Sequence, residues 1–284
     1  MNAMQLNCPA PAKLNLFLHI TGRRLDGYHL LQSAFQLIDR CDTVEVKTRE
    51  DGIIRRTNLI ESVAEENDLI IRAAKLLQGH TKSRFGADLT LIKLLPMGGG
   101  LGGGSSDAAS TLIALNYLWQ CGLNRKELMA LGLQLGADVP FFLFGCNAFA
   151  EGVGEKLQSI ETPDTWFVVI EPKVQVPTAA IFSAKELTRN TKPIKITDFS
   201  STAKIHWKND LQTVACSLYP EVGKAIEWLK TFGNARMTGS GACVFCAFPD
   251  ENVAETVLHQ VPDYWKSWKA KSLNKHPMSH LVQT

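Results

Sequence analysis

The chain has no run long and apolar enough to cross a bilayer. Its most apolar window, Val139 to Phe149, is too short and holds Pro140, Gly145 and Asn147. Nothing near the start reads as a secretory leader: Leu14 to Ile20 is interrupted by Asn15 and His19, with no basic stretch before it and no small-residue cleavage site after it, so the expected location is the cytoplasm. Charge bias is missing too. Thirty Lys and Arg face 28 Asp and Glu, a net charge of +2, so no large field draws the chain to nucleic acid or to a membrane, and an anionic ligand must be held by local groups. The seven cysteines are an odd, scattered set that makes no disulfide framework. One pair, Cys243-Val-Phe-Cys246, has metal-like spacing, but no second pair completes a zinc site. In an apolar strand an i, i+3 spacing sends the two thiols to opposite faces, so both are expected to be buried and structural. Internal repeats and low-complexity tracts are absent.

What is present is the composition of a globular protein: 284 residues, 45% apolar and 20% charged, enough for one large domain or two ordinary ones. The pattern weakens between Ser159 and Asp164, which places a boundary between segments 1–160 and 161–284. Residues 12 to 20 alternate, with Leu14, Leu16, Leu18 and Ile20 on one face and Lys13, Asn15, Phe17 and His19 on the other. Further strands are expected at Leu31–Ile38, Thr43–Lys47, Leu89–Leu95, Trp166–Ile170, Ala242–Phe248 and Trp268–Ser272. Asn67 reads as the cap of a helix that turns Ile70, Ala73, Ala74 and Leu77 inward. Asn124 with Glu127 forms a capping box before Leu128, Leu131 and Leu135, and Gly136 ends that helix before the loop Ala137-Asp138-Val139-Pro140. In the second half, helices are expected over Pro177–Leu187, Leu218–Phe232 and Asn252–Gln260, and residues 188–208 read as polar loop.

The densest signal is Pro96-Met97-Gly98-Gly99-Gly100-Leu101-Gly102-Gly103-Gly104-Ser105-Ser106-Asp107. It lies between an apolar strand and a helix whose stripe is Ala108, Leu112, Leu115 and Trp119. Glycines let the backbone approach a ligand closely, and a helix start offers unpaired N–H groups and a positive dipole end, so the segment reads as a phosphate cradle. Its literal G-x-G-x-x-G also fits a dinucleotide-dependent oxidoreductase. The context is poor, because Pro96-Met97 intervenes and no strand ending in an acid follows about 20 residues on. No Lys follows the glycines as in a P-loop, and neither H-R-D nor D-F-G occurs. Lys13 reads either as an edge-strand lysine or as a functional ammonium. Asp138, between a glycine-ended helix and an apolar run, either shapes a turn or is a partly desolvated carboxylate needing a cation, for which Lys13 is a candidate. Tyr28 and Phe182 could stack on a base or pack at the core margin. Thr238-Gly239-Ser240-Gly241 could bind phosphate or simply bend the chain.

Three segments together resemble the GHMP kinases: Pro9-Ala-Pro-Ala-Lys-Leu-Asn15, Pro96 to Asp107, and Met237-Thr-Gly-Ser-Gly-Ala242, in the family's order and spacing. Gly22-Arg-Arg-Leu-Asp-Gly-Tyr-His29 and Leu135-Gly-Ala-Asp-Val-Pro140 make the chain most similar to the branch acting on a cytidine-diphosphate-linked methylerythritol. The resemblance spans essentially the whole chain. It implies an α+β, two-domain fold, with an N-terminal α/β half of left-over-right helix–sheet packing, a ferredoxin-like C-terminal half and the active site in the cleft between them. It implies ATP-dependent phosphorylation of the substrate's 2-hydroxyl in the non-mevalonate route to isoprenoid precursors, with Mg²⁺ as cofactor, a small molecule as the only partner, no nucleic acid or membrane, and a monomer or weak homodimer. By the resemblance, Asp138 is the base and Lys13 its partner. Pro96, Met97, Gly98, Gly99, Gly100, Leu101, Gly102, Gly103, Gly104, Ser105 and Ser106 hold ATP, with Asp68 and Lys93 near the adenine and Ser106 a candidate for the magnesium shell. Asn15, Tyr28, His29 and Phe182 hold the cytidyl group, and Gly239, Ser240 and Gly241 approach the substrate phosphates. A GHMP kinase for another small alcohol, or a non-catalytic nucleotide-binding module, are the remaining alternatives.

Overall fold

A computed structural model of the chain describes residues 4–58, 64–197 and 207–283. Its spine is an antiparallel pair of long strands, β1 (Gln5–Arg23) and β2 (His29–Arg49), with Lys13 opposite Leu37 and Asn15 opposite Phe35. The two strands expected at Leu31–Ile38 and Thr43–Lys47 are one. β2 is long enough to serve different neighbours along its length: β5 (Ala148–Glu151) beside its first half and β4 (Gly86–Ile92) beside its second. β3 (Ile54–Arg56) adds to β4 in parallel, and β6 (Lys156–Ser159) to β5. The simple alternation expected of residues 12–20 fails, because the register slips between Asn15 and Phe17 and the strand is covered on both sides. Phe17 is buried with Leu14 and Leu16, and Lys13 and Asn15 are themselves within the interior.

Four helices cover the first half of the sheet: α1 (Leu69–Thr81), α2 (Gly103–Leu118), α3 (Arg125–Leu133) and α4 (Val139–Phe144). Asp68, one residue beyond the expected Asn67, caps α1 by accepting from the Ile70 N–H, and Ile70, Ala73, Ala74 and Leu77 face inward. The Asn124–Glu127 capping box forms as read. α2 is buried on almost every side. Its Ala and Ser side chains allow close approach by α1, β1 and α4. Val139 and Pro140 begin a short helix rather than continue a loop, proline being favoured in a first turn.

The second half runs β7 (Trp166–Glu171), α5 (Thr178–Ser183), α6 (Gln212–Leu218), α7 (Pro220–Lys230), β8 (Arg236–Met237), β9 (Val244–Phe248), α8 (Glu251–Leu258) and β10 (Lys266–Leu273). Its strands stand in the order β10-β7-β9-β8, all antiparallel, which is the β-α-β-β-α-β ferredoxin-like arrangement. The helix expected over Leu218–Phe232 forms as α7, two residues shorter at each end, and the helix before it, α6, has no counterpart among the expected elements. Tyr219, pressed by the Pro220 ring, leaves the helical region (φ −131°, ψ 81°). The loop expected at 188–208 is described only to 197 and again from 207; residues 198–206 lie outside the described set. Cys243, just before β9, and Cys246, within it, sit in different core clusters, and burial raises both thiols.

β10 closes onto β2 (Ser272 opposite Ile38), and one core cluster joins Leu14 and Phe17 to Phe167 and Phe245 across the two halves. The last turns then fold back into the first core, burying Met278 and Val282 there. His276 anchors this return. Its backbone N–H donates to the Gly145 carbonyl, its Nδ1 accepts from the Met278 N–H, and its Nε2 faces Ser110 Oγ at 3.5 Å. Burial, with Arg125 nearby, lowers its pKa to about 4. The neutral ring is therefore the native form. Below the unfolded value near 6.5 the unfolded chain takes a proton that the native state refuses, so stability present at pH 7 is lost as pH falls from 6.5 toward 4, by about 3 kcal/mol at most. Urea midpoints measured from pH 7.5 down to 4.5 should fall in that window, and His276→Gln should flatten the slope. An equal slope in the variant rejects this assignment.

Candidate active site

Between β4 and α2 the chain is held by Asp42. This fully buried carboxylate accepts from the backbone N–H groups of Leu94 (2.6 Å) and Leu95 (2.8 Å) and pairs with Lys93. The glycine loop follows. Gly98, Gly100 and Gly102 have φ of 72°, 75° and 72°, a left-handed conformation that favours glycine. The loop is pinned on two sides: the Lys13 N–H donates to the Leu101 carbonyl (2.9 Å) and the Cys243 N–H to the Gly99 carbonyl (3.2 Å). α2 then starts at Gly103 with no side chain capping it, so its first N–H groups are left for a ligand.

Two cavities of about 360 Å³ each open from this loop. The first is lined by Pro96 to Ser105, with Asp68 and Lys93 on its far wall. The second is lined by Lys13, Asn15, Asp138, Phe182, Gly239 and Ser240, among others. Gly98, Gly100, Gly102 and Ser105 border both, so the loop is the partition between them.

In the second cavity Lys13 Nζ lies 3.8 Å from Asp138 Oδ2, 2.5 Å from Asn15 Oδ1 and 5.4 Å from the centre of the Phe35 ring. Burial lowers the Lys13 pKa, and the Asp138 charge offsets part of that. Asp138 occupies the cap position of α4 but makes no capping bond, and its side chain is 38% exposed, so the carboxylate is free to face a ligand. Asn15 is a junction rather than a free contact. Its N–H donates to Thr238 Oγ1, its Nδ2 to Ser33 Oγ, and its Oδ1 accepts from Lys13 and from Thr238, whose hydroxyl also lies 3.3 Å from the Gly100 carbonyl. Thr238, not singled out in the sequence as a site residue, thus joins the two glycine turns.

Ser106 is fully buried and its Oγ has no hydrogen-bond partner among the described residues. Lys93 and Asp68 reach the first cavity but are engaged elsewhere: Lys93 with Asp42 and Asp107, Asp68 with Arg56 and the α1 N-terminus. Burial, with Asp42 beside it and Lys93 opposing, pushes Asp107 up to about 7. Tyr28 stands exposed on a turn and does not line either cavity. His29 packs on Phe182 at 5.1 Å between ring centres, which places it beside the second cavity. Gly239 and Ser240 line that cavity. Gly241 packs instead against Met237. Arg189, not among the expected site residues, joins His29 to the backbone after α5, from a stretch that reads only as polar loop.

Gly100 and Gly98 make a test pair for the partition. Both need positive φ, but a Cβ on Gly100 would lie 2.1 Å from the Thr238 carbonyl oxygen, whereas one on Gly98 meets nothing within 4 Å. Gly98→Ala should cost only the backbone strain, about 1–2 kcal/mol. Gly100→Ala adds a backbone clash and should cost about 2–4 kcal/mol in thermal or chemical unfolding. Equal losses would mean the two glycine turns do not touch as described.

The literal G-x-G-x-x-G is not a dinucleotide fingerprint here. β4 and β5, the strands before and after α2, α3 and α4, each pair with a different stretch of the long strand β2 and not with one another, so the loop does not sit in a β-α-β unit of two neighbouring parallel strands. The oxidoreductase alternative is withdrawn on that ground.

Comparison with known proteins agrees. Residues 68–146 match the GHMP kinases N terminal domain and residues 189–267 the GHMP kinases C terminal domain. A 4-diphosphocytidyl-2-C-methyl-D-erythritol kinase of Janthinobacterium sp. (strain Marseille) is 63% identical over 283 residues, 98% of each chain. The enzyme of that name from Herminiimonas arsenicoxydans is 63% identical over 97% of this chain and 98% of its own. A crystal structure of 4-(cytidine 5'-diphospho)-2C-methyl-D-erythritol kinase superposes with a TM-score of 0.83 at 30% identity, over 94% of this chain and 99% of that one. A mevalonate kinase of Methanococcus jannaschii, 17% identical, shares the fold at a TM-score of 0.69 over 96% of this chain and 99% of its own. With both domains matched and relatives this similar along nearly its whole length, the chain belongs to the GHMP kinase family, in the branch of the 4-diphosphocytidyl-2-C-methyl-D-erythritol kinases.

Proposed function

We propose that the protein transfers the γ-phosphoryl group of ATP to the 2-hydroxyl of 4-diphosphocytidyl-2-C-methyl-D-erythritol, a step in the non-mevalonate route to isoprenoid precursors. One observation carries the reading: two cavities share a wall of phosphate-binding glycine loop, and on one side of that wall a buried lysine meets an open carboxylate. Phosphoryl transfer asks for this geometry, since positioning and charge stabilisation supply most of the catalysis. ATP takes the first cavity, its triphosphate on the N–H groups of Gly98 to Ser105 and the start of α2. The acceptor takes the second. Asp138 accepts the hydroxyl proton, and Lys13, held by Asn15 and Asp138, stabilises the oxygen as it gains charge. Phe182 and His29 hold the cytosine at the far end, so binding energy remote from the reaction orients the hydroxyl. Tyr28, exposed next to His29, is the ring left to stack on the other face of the base, although it lines neither cavity here.

The residues fit magnesium brought in with ATP. Ser106 Oγ is buried, unpartnered and placed at the helix start, and no group of three or more His, Cys, Asp or Glu side chains among the described residues could bind the ion alone. Ser106 and the nucleotide would share its shell with water, as is usual for Mg²⁺. Held there, the ion would supply positive charge against the phosphates, leaving Asp138 and Lys13 to act on the acceptor hydroxyl.

A coupled ADP-release assay tests the proposal. Turnover is expected with the cytidyl-diphospho-methylerythritol and not with mevalonate, homoserine or galactose. Preference for one of those alcohols would reassign the substrate, and ATP binding without any ADP release would leave a nucleotide-binding module.

A further inference from the structure

Arg189 makes an unusual number of bonds for a side chain that is only half buried. One terminal nitrogen donates to the Ala184 carbonyl (2.6 Å) and to that of Phe182 (3.3 Å), and the other to the Leu187 carbonyl (3.0 Å). These carbonyls belong to the last turn of α5 and the turn that follows it, so the guanidinium is fixed by the segment that carries Phe182. A longer contact reaches the Lys185 carbonyl (3.5 Å), and the fifth donor, Nε–H, points at His29 Nε2, 3.1 Å away.

Guanidinium only donates, so His29 Nε2 must accept with its lone pair. Burial, Arg189 and Arg23 together lower the His29 pKa, so the ring is neutral near pH 7. A neutral imidazole whose Nε2 is bare carries its proton on Nδ1. No described residue takes that Nδ1 proton, and the ring lies against Phe182 beside the acceptor cavity.

We infer that Arg189 is a positioning residue for acceptor specificity: by occupying His29 Nε2 it fixes the Nδ1–H tautomer, so that His29 presents a hydrogen-bond donor to the pyrimidine edge and selects cytosine over uracil. The inference rests on the cytidyl substrate proposed above. The chemistry follows from the two bases. Cytosine offers acceptors at N3 and O2, which an N–H donor satisfies. Uracil carries a proton on N3, so the same donor would face a donor there. The opposite tautomer, with a bare Nδ1, would lose this discrimination. The same guanidinium holds Phe182 and His29 in one frame, which keeps the reading edge aligned with the stacking ring.

Long-range ¹H–¹⁵N correlation spectra of the imidazole, taken on the full chain without substrate, read the tautomer directly. The wild type should show a protonated Nδ1 and a bare Nε2 for His29. Arg189→Met should shift the ring toward the Nε2–H form that free histidine prefers, and Arg189→Lys, which still carries a donor, should retain part of the original signature. In kinetics, Arg189→Met should raise KM for the cytidyl substrate about 10- to 100-fold with kcat changed far less, and should compress the preference over the uridyl analogue by a similar factor. In a His29→Gln background the same change should have little further effect on that preference. A wild-type ring protonated on Nε2, an unchanged spectrum in Arg189→Met, or a full additional loss in the double variant would each overturn the inference. So would an Arg189 effect confined to kcat. Absence of any turnover in the wild-type chain would instead overturn the substrate reading, and with it the specificity role, while the substrate-free spectrum would still decide whether Arg189 fixes the tautomer.

Discussion

Asp138→Asn is expected to lower kcat by about 10²- to 10⁴-fold, the range for removing a general base, or roughly 3–5 kcal/mol of barrier. The substitution keeps the side chain's size and removes its capacity to take a proton. It should fold normally, because Asp138 makes no capping bond to α4 and its side chain is partly exposed. ATP affinity should be nearly unchanged, since Asp138 lines only the acceptor cavity, across the glycine wall from the nucleotide. Lys13 feels the change, because the one anion that counters its burial is gone. Single-turnover rates, with nucleotide affinity measured by calorimetry on the same preparation, separate these effects. A kcat within tenfold of wild type would remove Asp138 from the role of base. Weak ATP binding as the main defect would mean that the partition between the cavities is not where it is described.

The parts of this site readable in the sequence are those that local physics dictates. The glycine run announces itself because alternating positive φ at Gly98, Gly100 and Gly102 permits little else. The α1 stripe and the Asn124–Glu127 box are short-range patterns and form as read. Of the two readings open for Lys13, the structure leaves no place for a solvated edge-strand lysine: the ammonium is buried and faces Asp138, although the alternation of its strand breaks at Phe17. What was hidden depends on distant partners. Asn15 and Thr238 are 223 residues apart, and neither carries a local sign of joining two glycine turns. Arg189 reaches His29 across 160 positions from a segment without periodicity. Lys93 is marked by the resemblance and Asp107 by the glycine run, but nothing local shows that Lys93 joins Asp42 to Asp107. The start of α7 is legible because Pro220 marks it, whereas α6 before it is not among the expected elements.

Lys13→Met should cost about 10²- to 10³-fold in kcat, the usual loss when one preorganised electrostatic contact to a developing oxyanion is removed. Its effect on stability should have the opposite sign or be near zero, because a buried ammonium that is costly to desolvate is replaced by an unbranched apolar chain of similar length. The pH behaviour sharpens this. Burial lowers the Lys13 pKa, so the native ammonium loses its proton at a lower pH than lysine in an unfolded chain. Activity that needs the charge should therefore fall on an alkaline limb placed below the ordinary lysine range near 10.4. Over the same window the unfolded chain still binds a proton that the native state has released, so stability contributed by this group rises with pH. An alkaline loss of activity that came from unfolding would be accompanied by falling stability; one that came from Lys13 would not. Lys13→Arg separates the two further. Its guanidinium stays charged through the window, so whatever activity the variant keeps should lack that limb. Rate profiles from pH 7 to 10.5 beside urea midpoints at each pH make the comparison. If the limb keeps its place in Lys13→Arg, another group sets it, and Lys13 acts by holding Asn15 and Asp138 in position rather than by its charge on the reacting oxygen.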